Sequence, residues 1–108
     1  MQGWETQLNK ERAIIFKALA HTLRLAIVDE LQKGECCVQD LVQRLGCEQS
    51  NLSRHLAVLK RAGIVDCEKK GLFVYYSLVI PCINGFFSCV NQVLSKRVQE
   101  KRGSCHKL

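Results

Sequence analysis

The chain predicts a mainly α domain carrying a small β-hairpin, and three observations lead there. Residues 49–63, QSNLSRHLAVLKRAG, hold one short helix with two incompatible faces. Before it, apolar residues recur at helical spacing in three further segments. After it, from Ile64 to Leu78, apolar and polar residues alternate as in strands, and a last helical pattern begins near Pro81. Five helices plus a two-stranded wing in this order describe a winged helix-turn-helix, spanning 1–108 as a single domain.

The first helix is expected over Glu5 to Ala20, with Leu8, Ile15 and Leu19 on one face and charges on the other. The second covers Thr22 to Gln32: Leu23, Ile27 and Leu31 stand at i, i+4 and i+8, and Gly34 ends it. The third runs from about Val38 to Leu45, with Leu41 and Leu45 inward and Gly46 as its stop. The fourth occupies about residues 48–62 and ends at Gly63. Its Leu52, Leu56 and Leu59 stack into one apolar stripe, while Ser50, Ser53, Arg54 and Ala57 fall on the opposite side. That side holds small hydrogen-bonding groups, one guanidinium and a methyl. Such a surface can lie against base edges in a major groove, which marks this as the recognition helix.

The wing covers about 64–78, with the aromatic and β-branched stretch Phe73 to Tyr76 in its second strand and Lys69, Lys70 and Gly71 at a cationic tip. Pro81 suits the first turn of a final helix over about 81–98. Its apolar arc of Ile83, Phe86, Phe87, Val90, Val93 and Leu94 is wider than a thin domain can bury, so it is expected to dimerise. Beyond Val98 the tail turns polar and basic and is expected to fray.

The formal charge of +6 is uneven. Residues 1–53 hold six Lys or Arg against seven Asp or Glu, whereas residues 54–108 hold ten against three. A basic half that begins inside the recognition helix favours a polyanion, nucleic acid before membrane. No apolar run approaches the roughly 18 to 20 residues of a membrane helix, and Met1 to Lys10 lacks a signal-peptide pattern. Seven cysteines, an odd number without a CxxC pair, argue against a secreted disulfide framework and for a reduced, cytoplasmic chain. No nucleophile–base pair, phosphate loop or hydrolase pattern stands out, so an enzyme is not expected.

The segments KALAHTLRLAIVDEL, CCVQDLVQRLG, QSNLSRHLAVLKRAGIV and KKGLFVYYSL together resemble the ArsR/SmtB family of metal- and metalloid-sensing bacterial repressors, over roughly residues 12–80. The resemblance implies a homodimer, built on the first and last helices, that binds an operator near its own promoter and loosens its hold when a ligand binds. It also places DNA-reading roles on Gln49, Ser50, Asn51, Ser53 and Arg54. Gln49, Asn51 and Arg54 can make bidentate contacts to base edges, and Ser50 and Ser53 can donate to phosphates. Ser50 reads equally as a helix N-cap. His55, about 60° from the leucine stripe, reads as a packed ring or as a DNA contact. Lys60 and Arg61 are explained by the helix dipole. Lys69 and Lys70 are candidate phosphate or minor-groove contacts.

One family ligand site follows the pattern Glu-Leu-Cys-Val-Cys-Asp-Leu at the start of the third helix. Here the matching stretch is Glu35, Cys36, Cys37, Val38, Gln39, Asp40, Leu41. Its first cysteine falls on Cys37 but its second on Gln39, so the site is one thiolate short, and Cys36 is not a geometric equivalent. A second family site uses Asp and His on the last helix to hold zinc. This chain offers Cys82 and Cys89 there and no histidine between Leu78 and Lys101. Sulfur donors alone favour thiophilic species, with As(III) or Sb(III) on three thiolates ahead of cadmium and lead.

The candidate ligands are Cys37, Cys82 and Cys89. Whether Cys36 replaces Cys82, and whether the site lies within one chain or between two, stays open. Cys82 and Cys89 share a helix face but lie roughly 10.5 Å apart along the axis, too far for one regular helix to bring both to one ion. Cys37 and Cys89 also read as small buried apolar residues. Cys47 and Cys67 look structural, and Cys105 with His106 could scavenge metal in the tail.

The expected function is a homodimeric transcriptional repressor with no obligatory cofactor and no membrane partner. It leaves operator DNA when cysteine thiolates bind a thiophilic metalloid, As(III) foremost. The same fold could instead sense reactive sulfur or redox state through a cysteine pair such as Cys37 and Cys89. A DNA-binding protein with inert cysteines is the third reading.

Overall fold

The structure is a computed structural model of the chain, and it describes residues 3–80 and 82–103, with side chains as far as residue 97. The elements run α1 (Gln7–Leu19), α2 (Thr22–Leu31), β1 (Cys36–Cys37), α3 (Val38–Leu45), α4 (Gln49–Arg61), β2 (Val65–Lys70), β3 (Phe73–Leu78) and α5 (Ile83–Gly103). Five helices and a wing in the expected order make a winged helix-turn-helix.

Caps set the helix bounds more sharply than periodicity does. Thr6 Oγ1 accepts the amide of Asn9 at 3.1 Å, so α1 starts at Gln7 and not at Glu5. His21 does the same for α2, its Nδ1 accepting the Leu23 amide at 3.1 Å. Gly46 closes α3 in the left-handed region, at φ 64°. At the end of α4 the Gly63 amide donates to the Lys60 carbonyl and the Ile64 amide to the Leu59 carbonyl, both at 3.0 Å. This double closure is a Schellman motif, with Gly63 at φ 82° and the buried pair Leu59 and Ile64 as its apolar contact. The reading of Ser50 as an N-cap is overturned: Glu48 holds that position, without a side-chain cap bond, and Ser50 lies inside the helix.

The wing strands pair antiparallel from Val65↔Leu78 to Lys70↔Phe73, joined by the two residues Gly71 and Leu72. The sequence predicts two strands; the sheet has three, in the order β1-β3-β2. Cys36 pairs with Tyr76 and Cys37 with Tyr75. A strand of two residues is too short to show a period, which is why the pattern conceals it. The last helix also differs from the expected 81–98: it starts at Ile83 and continues to Gly103, through the polar segment expected to fray. Pro81 and the pair Cys105 and His106 lie outside the described residues.

The core is built where α2 and α3 pack on α4 and the root of the wing. Ile27, Val28, Leu41, Leu52, Leu56, Leu59 and Ile64 are sealed from solvent. Leu19 joins them, and Ile15 packs at their edge, as the stripe on α1 requires. Leu8 does not: it is 57% exposed, at the surface beside the end of α4. Among the described side chains of α5, Ile83 alone is buried and Phe87 packs against the core, while Phe86, Val90, Val93 and Leu94 stay exposed.

Replacing Gly63 tests the α4 closure. No atom lies within 4 Å of an added Cβ there, so the cost of Gly63→Ala is purely conformational. A loss of about 1–2 kcal/mol is expected from forcing an L-residue into the left-handed region, read as a lower urea midpoint at unchanged slope. An unchanged midpoint would contradict the role given to this closure.

Candidate nucleic-acid interface and cysteine positions

The recognition face of α4 is positioned from behind. With Leu52, Leu56 and Leu59 fully buried, the helix cannot roll; Ser50, Ser53, Arg54 and Ala57 are held exposed on the other side, and Gln49 is exposed as the first residue of the helix. Asn51 is half-buried at the margin. Its Oδ1 accepts an Arg54 guanidinium N–H at 2.6 Å. The bond spans one helical turn and fixes the guanidinium plane, leaving its remaining donors and the Asn51 amide N–H groups for a partner. Four of the five proposed DNA-reading residues therefore share one exposed surface, with the fifth orienting Arg54.

His55 is a packed histidine. Its ring stacks on His21 with centroids 4.2 Å apart, and its buried Nδ1 has no hydrogen-bond partner among the described residues. Burial holds its pKa below the ordinary value, helped by the positive fields of His21, Arg24 and Arg54. Lys60 is engaged differently from the dipole reading: its ammonium donates to Cys67 Sγ at 3.2 Å across the gap from α4 to β2. That bond is the main reason its pKa stands above the usual lysine value.

At the wing, Lys69 is exposed and makes no ion pair among the described residues. Lys70 is committed to Glu35, its Nζ lying 2.5 and 2.9 Å from the two carboxylate oxygens, and it stands 5.4 Å from the Tyr75 ring centroid. The wing tip itself is Gly71 and Leu72, and Leu72 is 90% exposed. Sequence reasoning missed Glu35 as a wing contact, since no local pattern links residues 35 positions apart. It also missed the stack of His21 on His55; the helix-start position of His21 was the available signal.

The cysteines are spread over the fold. Cys37 is buried at the N-cap of α3 with no side-chain cap bond, and Cys36 is buried beside it, its thiol pKa raised chiefly by that burial. Cys82 lies in the turn before α5 and Cys89 on α5, both exposed. Among the described residues no group of three or more His, Cys, Asp or Glu converges to hold a metal ion. One chain thus does not bring Cys37, Cys82 and Cys89 together. Cys47 and Cys67 are half-buried. No described helix is long and apolar enough to cross a membrane.

A recognition helix held outward by its leucines, a helix packed behind it and a three-stranded wing define a DNA-binding protein of the winged helix-turn-helix class. The chain belongs to the ArsR family: the pattern described as bacterial regulatory protein, arsR family, matches residues 21–66. It is 45% identical over 89 residues to the arsenical resistance operon repressor of Bacillus subtilis, covering 82% of this chain and 85% of the relative. The crystal structure of Rv0081 from Mycobacterium tuberculosis superposes with a TM-score of 0.78 at 33% identity, covering 92% of this chain and all of that one. The solution structure of the homodimeric winged helix-turn-helix domain of Mb0332 from Mycobacterium bovis does so with 0.76 at 28% identity, covering 98% and 97%. The family is one of DNA-binding regulators and not of enzymes.

Two outcomes follow from this geometry. Arg54→Ala should abolish discrimination between specific and random duplexes in a binding assay while leaving the thermal unfolding curve unchanged, since the side chain is exposed. Retained specificity at normal affinity would remove α4 from the reading role. His55 should make stability depend on pH. Its pKa is lowered from 6.5, so the fold favours the neutral ring. Its contribution is complete above the unfolded-state value and is lost as pH falls below it. His55→Gln should therefore lose less stability than wild type between about pH 7.5 and 5.5, measured by urea unfolding. Equal losses would sink this assignment.

Proposed function

We propose that this protein is a homodimeric operator-binding repressor that releases DNA when cysteine thiolates bind a thiophilic metalloid, As(III) foremost. The observation that carries the reading is its 45% identity to an arsenical resistance operon repressor across most of both chains. The position of Cys37 supports it. This residue ends β1 and stands at the N-cap position of α3, the first helix of the helix-turn-helix, so a ligand on its sulfur acts at the junction of wing and reader. Cys82 and Cys89 are exposed near and on α5, the helix proposed to hold the dimer. With the three sulfurs apart in one chain, a complete thiolate set calls for a partner protomer or for movement of the segment around residue 82.

Dimerisation is supported by apolar residues exposed on both terminal helices, Leu8, Ile14 and Phe16 on α1 and Phe86, Val90, Val93 and Leu94 on α5. Phe16 meets Phe86 with ring centroids 5.9 Å apart, which joins the two helices at this surface. Two recognition helices related by a two-fold axis and spaced about 34 Å apart would enter successive major grooves.

The test is release of operator by sodium arsenite in a cysteine series. Coupling of roughly 1–3 kcal/mol would lower operator affinity about 5- to 150-fold. Cys37→Ser and Cys89→Ser should bind DNA normally and stay bound when arsenite is added, whereas Cys47→Ser, Cys67→Ser and Cys105→Ser should respond like wild type. If Cys37→Ser still releases DNA at wild-type arsenite levels, the proposed thiol set is wrong. If arsenite leaves wild type bound but a persulfide donor releases it with added sulfur mass, the reactive-sulfur reading replaces this one.

A further inference from the structure

Glu35 takes part in neither the recognition face nor the thiol set, yet it pairs with the wing. Among the described residues its bond to Lys70 is the ion pair that ties β2 to the rest of the fold; the other two, Glu30 with Lys33 and with Arg44, lie among α2, the turn after it and α3. Lys70 is the last residue of β2, beside the tip that the wing would present to DNA. Glu35 directly precedes β1, whose two residues pair with β3. The ammonium meets both carboxylate oxygens and faces the Tyr75 ring, and Tyr75 is itself the strand partner of Cys37. The hydrogen bond to Glu35 is the main reason the pKa of Lys70 stands above the ordinary lysine value.

We propose that Glu35 is a built-in brake on DNA binding: in the free protein it withholds Lys70 from the phosphate backbone. Both side chains are nearly half exposed, at 47% and 43%, and an ion pair this wet contributes little stability in water. A phosphate can therefore compete for the ammonium, so the pair is a tax on binding and not a lock. The charge pattern agrees. Of the two lysines at the end of β2, Lys69 is free for DNA at once, whereas Lys70 reaches it only by leaving Glu35 with an unpaired carboxylate. Neutralising Glu35 removes that penalty at an exposed residue.

The test is a double-mutant cycle of wild type, Glu35→Gln, Lys70→Gln and the double variant. Each is titrated with duplex DNA recovered by selection with the wild-type protein, between about 50 and 200 mM salt. Glu35→Gln should bind more tightly than wild type. Its plot of log affinity against log salt should be steeper, by up to roughly 1.8 for the two lysines of a dimer, at about 0.9 for each phosphate neutralised. In the Lys70→Gln background the same substitution should change neither affinity nor slope. The brake is overturned if Glu35→Gln binds more weakly, as a contact that positions the wing for DNA would require, or if it binds unchanged. It is equally overturned if the gain is the same with and without Lys70, which would reduce Glu35 to a general negative charge. Urea unfolding of all four proteins confirms that they are folded, and a wild type that selects no duplex would instead overturn the DNA-binding reading on which the brake rests.

Discussion

Burial of three leucines on one side of α4 is the constraint from which the rest of the molecule follows. Leu52, Leu56 and Leu59 are fully removed from solvent, and at about 1.5–3 kcal/mol for each side chain buried they form a large share of a thin core. Because they occupy one stripe, the helix has a single stable rotation, and the chemistry of its far side is set by elimination. Ser50, Ser53, Arg54 and Ala57 are outward because the leucine stripe faces the core. The same stripe orders its neighbours: α2 and α3 pack on α4, and the Schellman closure at Gly63 turns the chain into β2 with Ile64 already buried. The reading surface and the wing are thus two consequences of one packing decision.

What the sequence made legible is whatever repeats. The four helices of the body, the change of period at Ile64 and the recognition face come from spacing alone. The stops at Gly46 and Gly63 come from the need for positive φ at a helix end. Contacts between distant single residues stay hidden. The strand Cys36–Cys37 has no period to detect, and the bond of Glu35 to Lys70 joins two charged residues that each look merely solvated in their own segments. Exposure on α1 shows a related limit. The pattern marks Leu8 as inward, and inward is meaningful only relative to something that covers it. In one chain nothing does, and Leu8 remains exposed.

The thiols illustrate how far local chemistry carries. Cys82 lies in the turn before α5 and not on the helix that carries Cys89, so the two do not share a helix face, and Gln39 stands where the third-helix pattern carries its second cysteine. Cys36 and Cys37 form a strand, and Cys37 is at the same time the N-cap residue of α3. Cys36 lies directly across β3 from Cys67, both opposite Tyr76, so the strand that carries the buried thiols is in the same sheet as the wing. The Lys60 contact with Cys67 then links that sheet back to α4. A displacement of β1 has no path into solvent that leaves these contacts unchanged, because β1 is hydrogen-bonded to the sheet on one side and continuous with α3 on the other.

The surplus apolar surface bears on the same question from the other end of the molecule. On α5, Cys89 stands three residues after Phe86 and four before Val93, so it shares their helix face. That face is exposed in a single chain, with Phe86 at 46% and Val93 at 51%. Covering it with a second copy is favourable at roughly 25 cal/mol for each Å² of apolar surface removed from water, and the cover would enclose the Cys89 thiol as well. Under the proposed dimer, a group that binds sulfur there would not be neutral toward association, since it would have to be accommodated in the proposed seam. One candidate thiol lies at the root of the wing and another on the proposed dimer seam, so in the proposed dimer a ligand would act on both the wing and the seam. Neither location requires a cavity, which fits a domain whose core is already filled by its leucines.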